Sequence, residues 1–275
     1  MNELLNNPAV QGGVAPFMVA LVVAALLHRS RLLGLAISAG LVVLIALAIG
    51  FSFESLTATR KLVQLVGLAT LFVLGLEIGE FAARPAARAA VATAMGLGAV
   101  WVVLRLLQQQ EEMSRAVLLG AAAALYLAFM VDSSNAIGND SVRAASAALF
   151  LGLGSGVLAL LGGSALLALV GIAAGASAGG ALLIQMITGR RAPSGWTLAL
   201  PAATAAGLVA LLSTFTGELR WFCLLPLLAV PWATRLVPAG DRPVWMTAFL
   251  TSFAAVVPAL LSVALVKFLA APIGG

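Results

Sequence analysis

The chain reads as an all-α, polytopic integral membrane protein: a helical bundle of about ten transmembrane helices. The first observation is composition, because 62% of the 275 residues are apolar or aromatic and only 9% are charged. An ordinary globular chain has roughly 45–50% apolar and about 25% charged residues. The second is that long apolar runs recur along the whole length, and the third is that they lack the strict alternation a membrane barrel needs. Lipid offers no partner to backbone N–H and C=O groups, so such runs must close their own hydrogen bonds as helices. Ten spans of about 20 residues take about 200, which leaves short links and tails and no room among these residues for a soluble catalytic domain.

The first predicted helix, 14–28, follows a stretch containing Glu3 and no basic residue. No small-residue cleavage site comes after it, so it reads as a retained helix rather than a signal peptide. Helices two to five are expected at 32–51, 61–81, 87–109 and 114–132, with runs such as Leu41-Val42-Val43-Leu44-Ile45-Ala46-Leu47 apolar all round. The sixth and seventh, 142–162 and 164–187, are divided only by Gly162-Gly163-Ser164, so one long bent segment and nine helices in all is an open alternative. The eighth, ninth and tenth, 196–213, 217–236 and 243–269, contain Pro201, Pro226, Pro231 and Pro258. Each proline removes a helical hydrogen bond and tends to kink its helix. The whole forms one transmembrane domain read as two five-helix halves, 14–132 and 142–269. The residues of the two halves do not align, and no family is recognised from them.

Nine basic residues fall in one set of alternate links (Arg29, Arg31, Arg84, Arg88, Arg143, Arg190, Arg191, Arg235 and Arg242) and six in the other. With the unbasic N-terminal tail, this bias predicts both termini outside the cytoplasm. The Arg- and Ala-rich composition suggests a bacterial inner membrane. Basic residues scattered singly between apolar runs are topology signals, and no nucleic-acid partner is expected. Trp196, Trp221, Trp232 and Trp245 fall near predicted helix ends, at headgroup level, whereas Trp101 is expected to pack between helices.

Few residues offer chemistry. Cys223 is the sole cysteine and His28 the sole histidine, so thiolate clusters, bis-histidine haem and histidine triads are excluded within one chain. No catalytic residue, metal site or cofactor is expected, and the chain is read as a non-enzyme. Ser155, within Gly154-Ser155-Gly156, has no histidine to activate it. Ionisable groups within a bilayer are costly and therefore functional candidates. Glu77 and Glu80, three apart at the end of the third helix, read either as a pathway carboxylate pair or as interfacial charges balanced by Arg84 and Arg88. The polar stretch Asp132 to Ser141, with Asp132 and Asn135, reads either as a turn lining a cavity or as a link whose Asn139 or Asp140 caps the sixth helix. As a calcium loop it fails, because Ala136 and Arg143 occupy ligand positions and Ile137 the place of the required glycine. Gln185 is the other candidate for a cavity wall, beside the neutral Gln64, Thr70, Thr93, Thr204, Thr251 and Ser262.

Gly171, Gly175 and Gly179 recur every fourth residue in the seventh helix, and the sixth has Gly152 and Gly156. Such stripes let two backbones approach, either inside the chain or against a second copy or another membrane subunit. Lipid is the partner expected in any case. The functional expectation is a small-solute permease or carrier, with Glu77 its one coupling carboxylate. The alternative is a non-catalytic accessory or assembly subunit of a membrane complex, and a lipid-modifying enzyme is third for want of a general base.

Overall fold

The computed structural model describes residues 7–50, 57–81, 84–217, 219–238 and 242–269. Glu3 and residues 51 and 218, which enter the sequence reading, lie outside them. The described residues form ten helices and no strands, a multi-pass membrane bundle. They are α1 (Val10–Leu27, opening on a π-helical turn), α2 (Leu35–Leu44, continued by a π-helical turn Ile45–Ile49), α3 (Ala58–Ile78), α4 (Pro85–Gln110) and α5 (Met113–Asn135). The second half comprises α6 (Ser141–Leu161), α7 (Ala165–Thr188), α8 (Trp196–Thr216), α9 (Trp221–Leu236) and α10 (Val244–Leu269).

The division between α6 and α7 is real. Gly163 adopts φ +83, open to glycine and strained for other residues. The Ser164 hydroxyl then accepts from the N–H of Leu167 to start α7. This removes the nine-helix alternative. Eight helices are long enough to cross a bilayer; α2 and α9 are shorter than the expected spans. Ten α-helical and five π-helical residues in α2 reach about 22 Å against a hydrocarbon core of about 30 Å. The α2 ladder stops at Gly50, which has φ +75, close to the expected end, and most of the shortfall lies at its start, where Leu32 to Gly34 form a turn. In α9, Pro226 and Pro231 each sit in the first turn of a separate helical piece, so the segment is a 3-10 turn followed by two short α-helices.

At the centre stands α8, with every residue from Trp196 to Ser213 buried. A helix apolar on all sides has no face to offer water and belongs inside. It packs against α3, α5, α6 and α7, while α1 and α2 lie on α7, so helices of both halves share one core. The glycines bring α6 and α7 into backbone contact. A methyl added to Gly171 would lie 2.5 Å from the nitrogen of Gly156, and one added to Gly156 would lie 2.8 Å from the nitrogen of Ile172. The seam is therefore internal to the chain. The outer surface is apolar, as lipid requires: α10 presents Phe249, Phe253, Val257 and Leu260, and α5 presents Leu118 and Leu125. Trp101 also faces outward, a correction to its expected place between helices, and Lys61 lies over its ring at 5.1 Å.

One hydroxyl cluster joins α6 to α10. Ser146 and Thr251 oxygens lie 2.8 Å apart, and Ser252 donates to Ser146 at 3.3 Å. A double-mutant cycle with Ser146→Ala and Thr251→Val, read by unfolding in mixed micelles, is expected to give a coupling of about 0.6 kcal/mol, the typical value for such pairs in membranes. A coupling indistinguishable from zero would show that the hydroxyls do not tie these helices together.

Candidate functional site

The five links α1–α2, α3–α4, α5–α6, α7–α8 and α9–α10 meet at one end of the bundle, joined by a continuous polar network. Its local geometry starts at the end of α3. The last helical turn carries Glu77; Gly79 then closes the ladder and Glu80 turns into left-handed backbone at φ +56. Glu80 thereby leaves the helix, so the two acids are not neighbours on one helical face. Glu77 points inward and is 6% exposed, whereas Glu80 is exposed.

Glu77 is the one buried carboxyl group among the described residues, and none of their Lys or Arg nitrogens pairs with it. Its partner is Ser194, in the α7–α8 link, whose hydroxyl donates to Glu77 Oε1. Ser194 is itself buried, and its oxygen accepts from the N–H of Trp196 at 3.2 Å. The salt-bridge partner of Glu80 is Arg31, at 3.2 Å. The link bearing Arg31 is stapled to the first turn of α8: Thr197 donates to the Arg31 carbonyl at 3.0 Å and accepts from Gly34 N–H at 3.1 Å. Pro201 has no N–H for the Thr197 carbonyl four residues earlier, and Gly34 packs against that freed group closely enough to exclude any side chain. Arg31, Glu77, Glu80, Asn139, Ser194 and Trp196 surround a cavity of about 340 Å³.

A second cavity, about 350 Å³, lies between α2 and α3, which touch little although consecutive in sequence. Leu41, Ile45, Leu62 and Val66 form its walls and Val170 of α7 its floor. Ser38 and Thr70 are its polar groups, and each is satisfied: Thr70 donates to the Val66 carbonyl at 3.0 Å and the two hydroxyls are 2.9 Å apart. The surface offered to a ligand is therefore hydrocarbon.

Among the sequence candidates, Glu77 and Glu80 share one cavity, while Asp132, Asn135 and Gln185 line neither. The expected balancing of the two glutamates by Arg84 and Arg88 is replaced by other partners. Arg84 lies over the Phe81 ring at 4.4 Å, and Arg88 reaches Asp132 at 3.3 Å. Asn135 is buried. Gln185 accepts from Ser141 at 2.6 Å and from Ala192 N–H at 3.4 Å, a clamp between α6 and the α7–α8 link in the last turns of α7 rather than a mid-helix wall. Asp140 is the α6 cap, accepting from Val142 and Arg143 N–H groups. Ser155 is spent on the Gly152 carbonyl at 3.0 Å. Asn139 comes from the polar stretch that the sequence offered as a cavity-lining turn, whereas Arg31, Ser194 and Trp196 were not found as cavity residues; the available signal was Pro193-Ser194-Gly195 just before a helix, a turn that holds a serine inward.

No model of a known protein family and no curated protein sequence matches the chain.

Proposed function

We propose that the protein is a small-solute carrier of a bacterial inner membrane, in which Glu77 is the coupling carboxylate. The observation that carries this reading is a buried carboxyl group facing a cavity and held by a serine rather than by a cation. A negative charge on the last turn of a helix is disfavoured by the dipole, and a buried ionisable group without a counter-charge is expensive to keep without a use. A serine hydroxyl can donate to a carboxylate or accept from a carboxylic acid. The Glu77–Ser194 pair is thus satisfied in either protonation state, which is what a group that takes up and releases a proton or a cation needs.

In this reading the nine-Arg end of the bundle faces the cytoplasm, both termini lie on the other side, and the Glu77 cavity opens inward. The test is uptake into proteoliposomes of a panel of labelled small neutral and cationic organic solutes, with and without an imposed pH gradient. The native protein is expected to drive gradient-dependent uptake of at least one of them. Glu77→Gln, nearly isosteric and still able to bond Ser194, is expected to remain monodisperse in detergent and lose the gradient dependence. Unchanged dependence removes Glu77 from the mechanism. No uptake at all, with stoichiometric membrane subunits recovered on gentle extraction, favours the accessory-subunit reading instead.

A further inference from the structure

The carrier reading leaves the solute's chemistry open, and two features on α3 narrow it. The Glu77 cavity is lined by two acids, Glu77 and Glu80, and one base, Arg31, so with both carboxyl groups ionised its lining has one negative charge in excess. At about 340 Å³ it falls in the range of small organic ligands, from roughly 300 Å³ upward. An inorganic cation would want six or more oxygens closely around it, whereas Pro193 and Trp196 give this wall hydrocarbon and an aromatic ring. The charge and the size together suit one organic ammonium group.

The second feature is the α2–α3 cleft. Thr70, at its edge, and Glu77 are seven residues apart on α3, which places them on the same face with about 10 Å of rise between them. Its hydroxyls are satisfied by each other and by the Val66 carbonyl, so it favours an apolar occupant. We propose that the substrate class is a monocationic amphiphile. Its ammonium head is held by Glu77 and Ser194, its apolar body lies along α3 in the α2–α3 cleft, and it reaches the site sideways from the bilayer. This rests on the carrier reading for its transport step and on the two cavities for its binding step. The two carboxyl groups of the lining favour a cationic head over an anionic one, and the sulfonate arm of the test below reads that preference.

Gly67 supplies a clean probe, since it lines the cleft and a Cβ there meets no atom within 4 Å. A phenylalanine at that position fills the cleft without disturbing the packed side of α3. The experiment measures binding of a fluorescent long-chain alkyltrimethylammonium to the full-length protein in nanodiscs, against the alkyl sulfonate of equal chain length and against tetramethylammonium. The long-chain cation is expected to bind saturably and the sulfonate not. Glu77→Gln is expected to weaken binding of both cations about tenfold or more, while Gly67→Phe weakens the long-chain cation by a similar factor and leaves tetramethylammonium unchanged. Equal binding of the sulfonate, or unchanged affinity in both variants, overturns the inference. If no ammonium compound binds while Glu77→Gln still abolishes gradient-driven uptake of another solute, the substrate class falls and the carrier stands. If the amphiphile binds as described but is never moved across a vesicle membrane, the carrier reading falls and the binding site stands.

Discussion

Gly152→Ala is expected to destabilise the bundle by about 3 kcal/mol, the upper part of the usual range for forced overpacking, although alanine is the better helix former by about 1 kcal/mol. The added methyl would fall on the backbone of Gly175, with the Gly175 Cα at 2.6 Å and the Gly171 carbonyl at 2.9 Å. Backbone atoms cannot rotate aside as a flexible side chain does, so α6 and α7 must separate along the whole seam. Gly179→Ala is the matched control from the same stripe. Its methyl would meet the Leu149 side chain at 3.5 Å, an ordinary contact, so only the helix-propensity gain remains and the variant is expected to be neutral or slightly more stable. Heat-resistant monodisperse protein after detergent extraction should drop for Gly152→Ala and hold for Gly179→Ala. Equal behaviour of the two would show that the glycine seam does not hold α6 against α7.

Asp140→Ala is the other substitution expected to be costly, by about 2–4 kcal/mol, because one carboxylate has three duties. It caps α6 through the N–H groups of Val142 and Arg143, at 3.1 and 3.3 Å, a contribution of about 1 kcal/mol. It also faces Arg143 Nε at 3.4 Å and Arg191 at 3.2 Å. The Arg143 side chain is only 15% exposed, so removing its anion leaves a largely buried charge, and such losses dominate when a pair is broken from one side. The Arg143 Nε contact lacks hydrogen-bond alignment, and Arg143 keeps its bond to the Val237 carbonyl at 2.8 Å, which places the expectation below that for a fully buried pair. Asp140→Asn retains an acceptor for the cap but no charge and should lose about half as much. Denaturant midpoints of the two variants in bicelles separate the duties: equal losses would assign the whole effect to charge, and a harmless Asn to the cap alone.

What could be read before the structure follows from the range of the forces involved. Solvation by lipid acts on every residue, so composition alone yields the helical membrane bundle, and helix ends marked by local chemistry, such as Asp140 and Ser164, fall within a few residues of expectation. The shortening of α2 could not be read, because Leu32 and Leu33 are as apolar as the helix that follows yet belong to a turn stapled to the start of α8. The Glu77 site was half legible. A buried acid in an oily run is visible, but its partner Ser194 is 117 positions away, and helical spacing offers only residues three or four along, which is why Arg84 and Arg88 looked like the counter-charges. The outward turn of Trp101 was illegible for a related reason: in lipid an exposed indole and a packed one leave the same apolar sequence.

The central place of α8 bears on how the molecule is made. Synthesis delivers seven helices to the bilayer before the one that four of them enclose, so α3, α5, α6 and α7 must first come together around a vacancy or stay apart. Arg31 and Gly34, early in the chain, likewise wait for Thr197. The core is therefore expected to close only once α8 has been inserted, and a chain truncated after α7 is expected to be cut by added protease faster than the full-length protein.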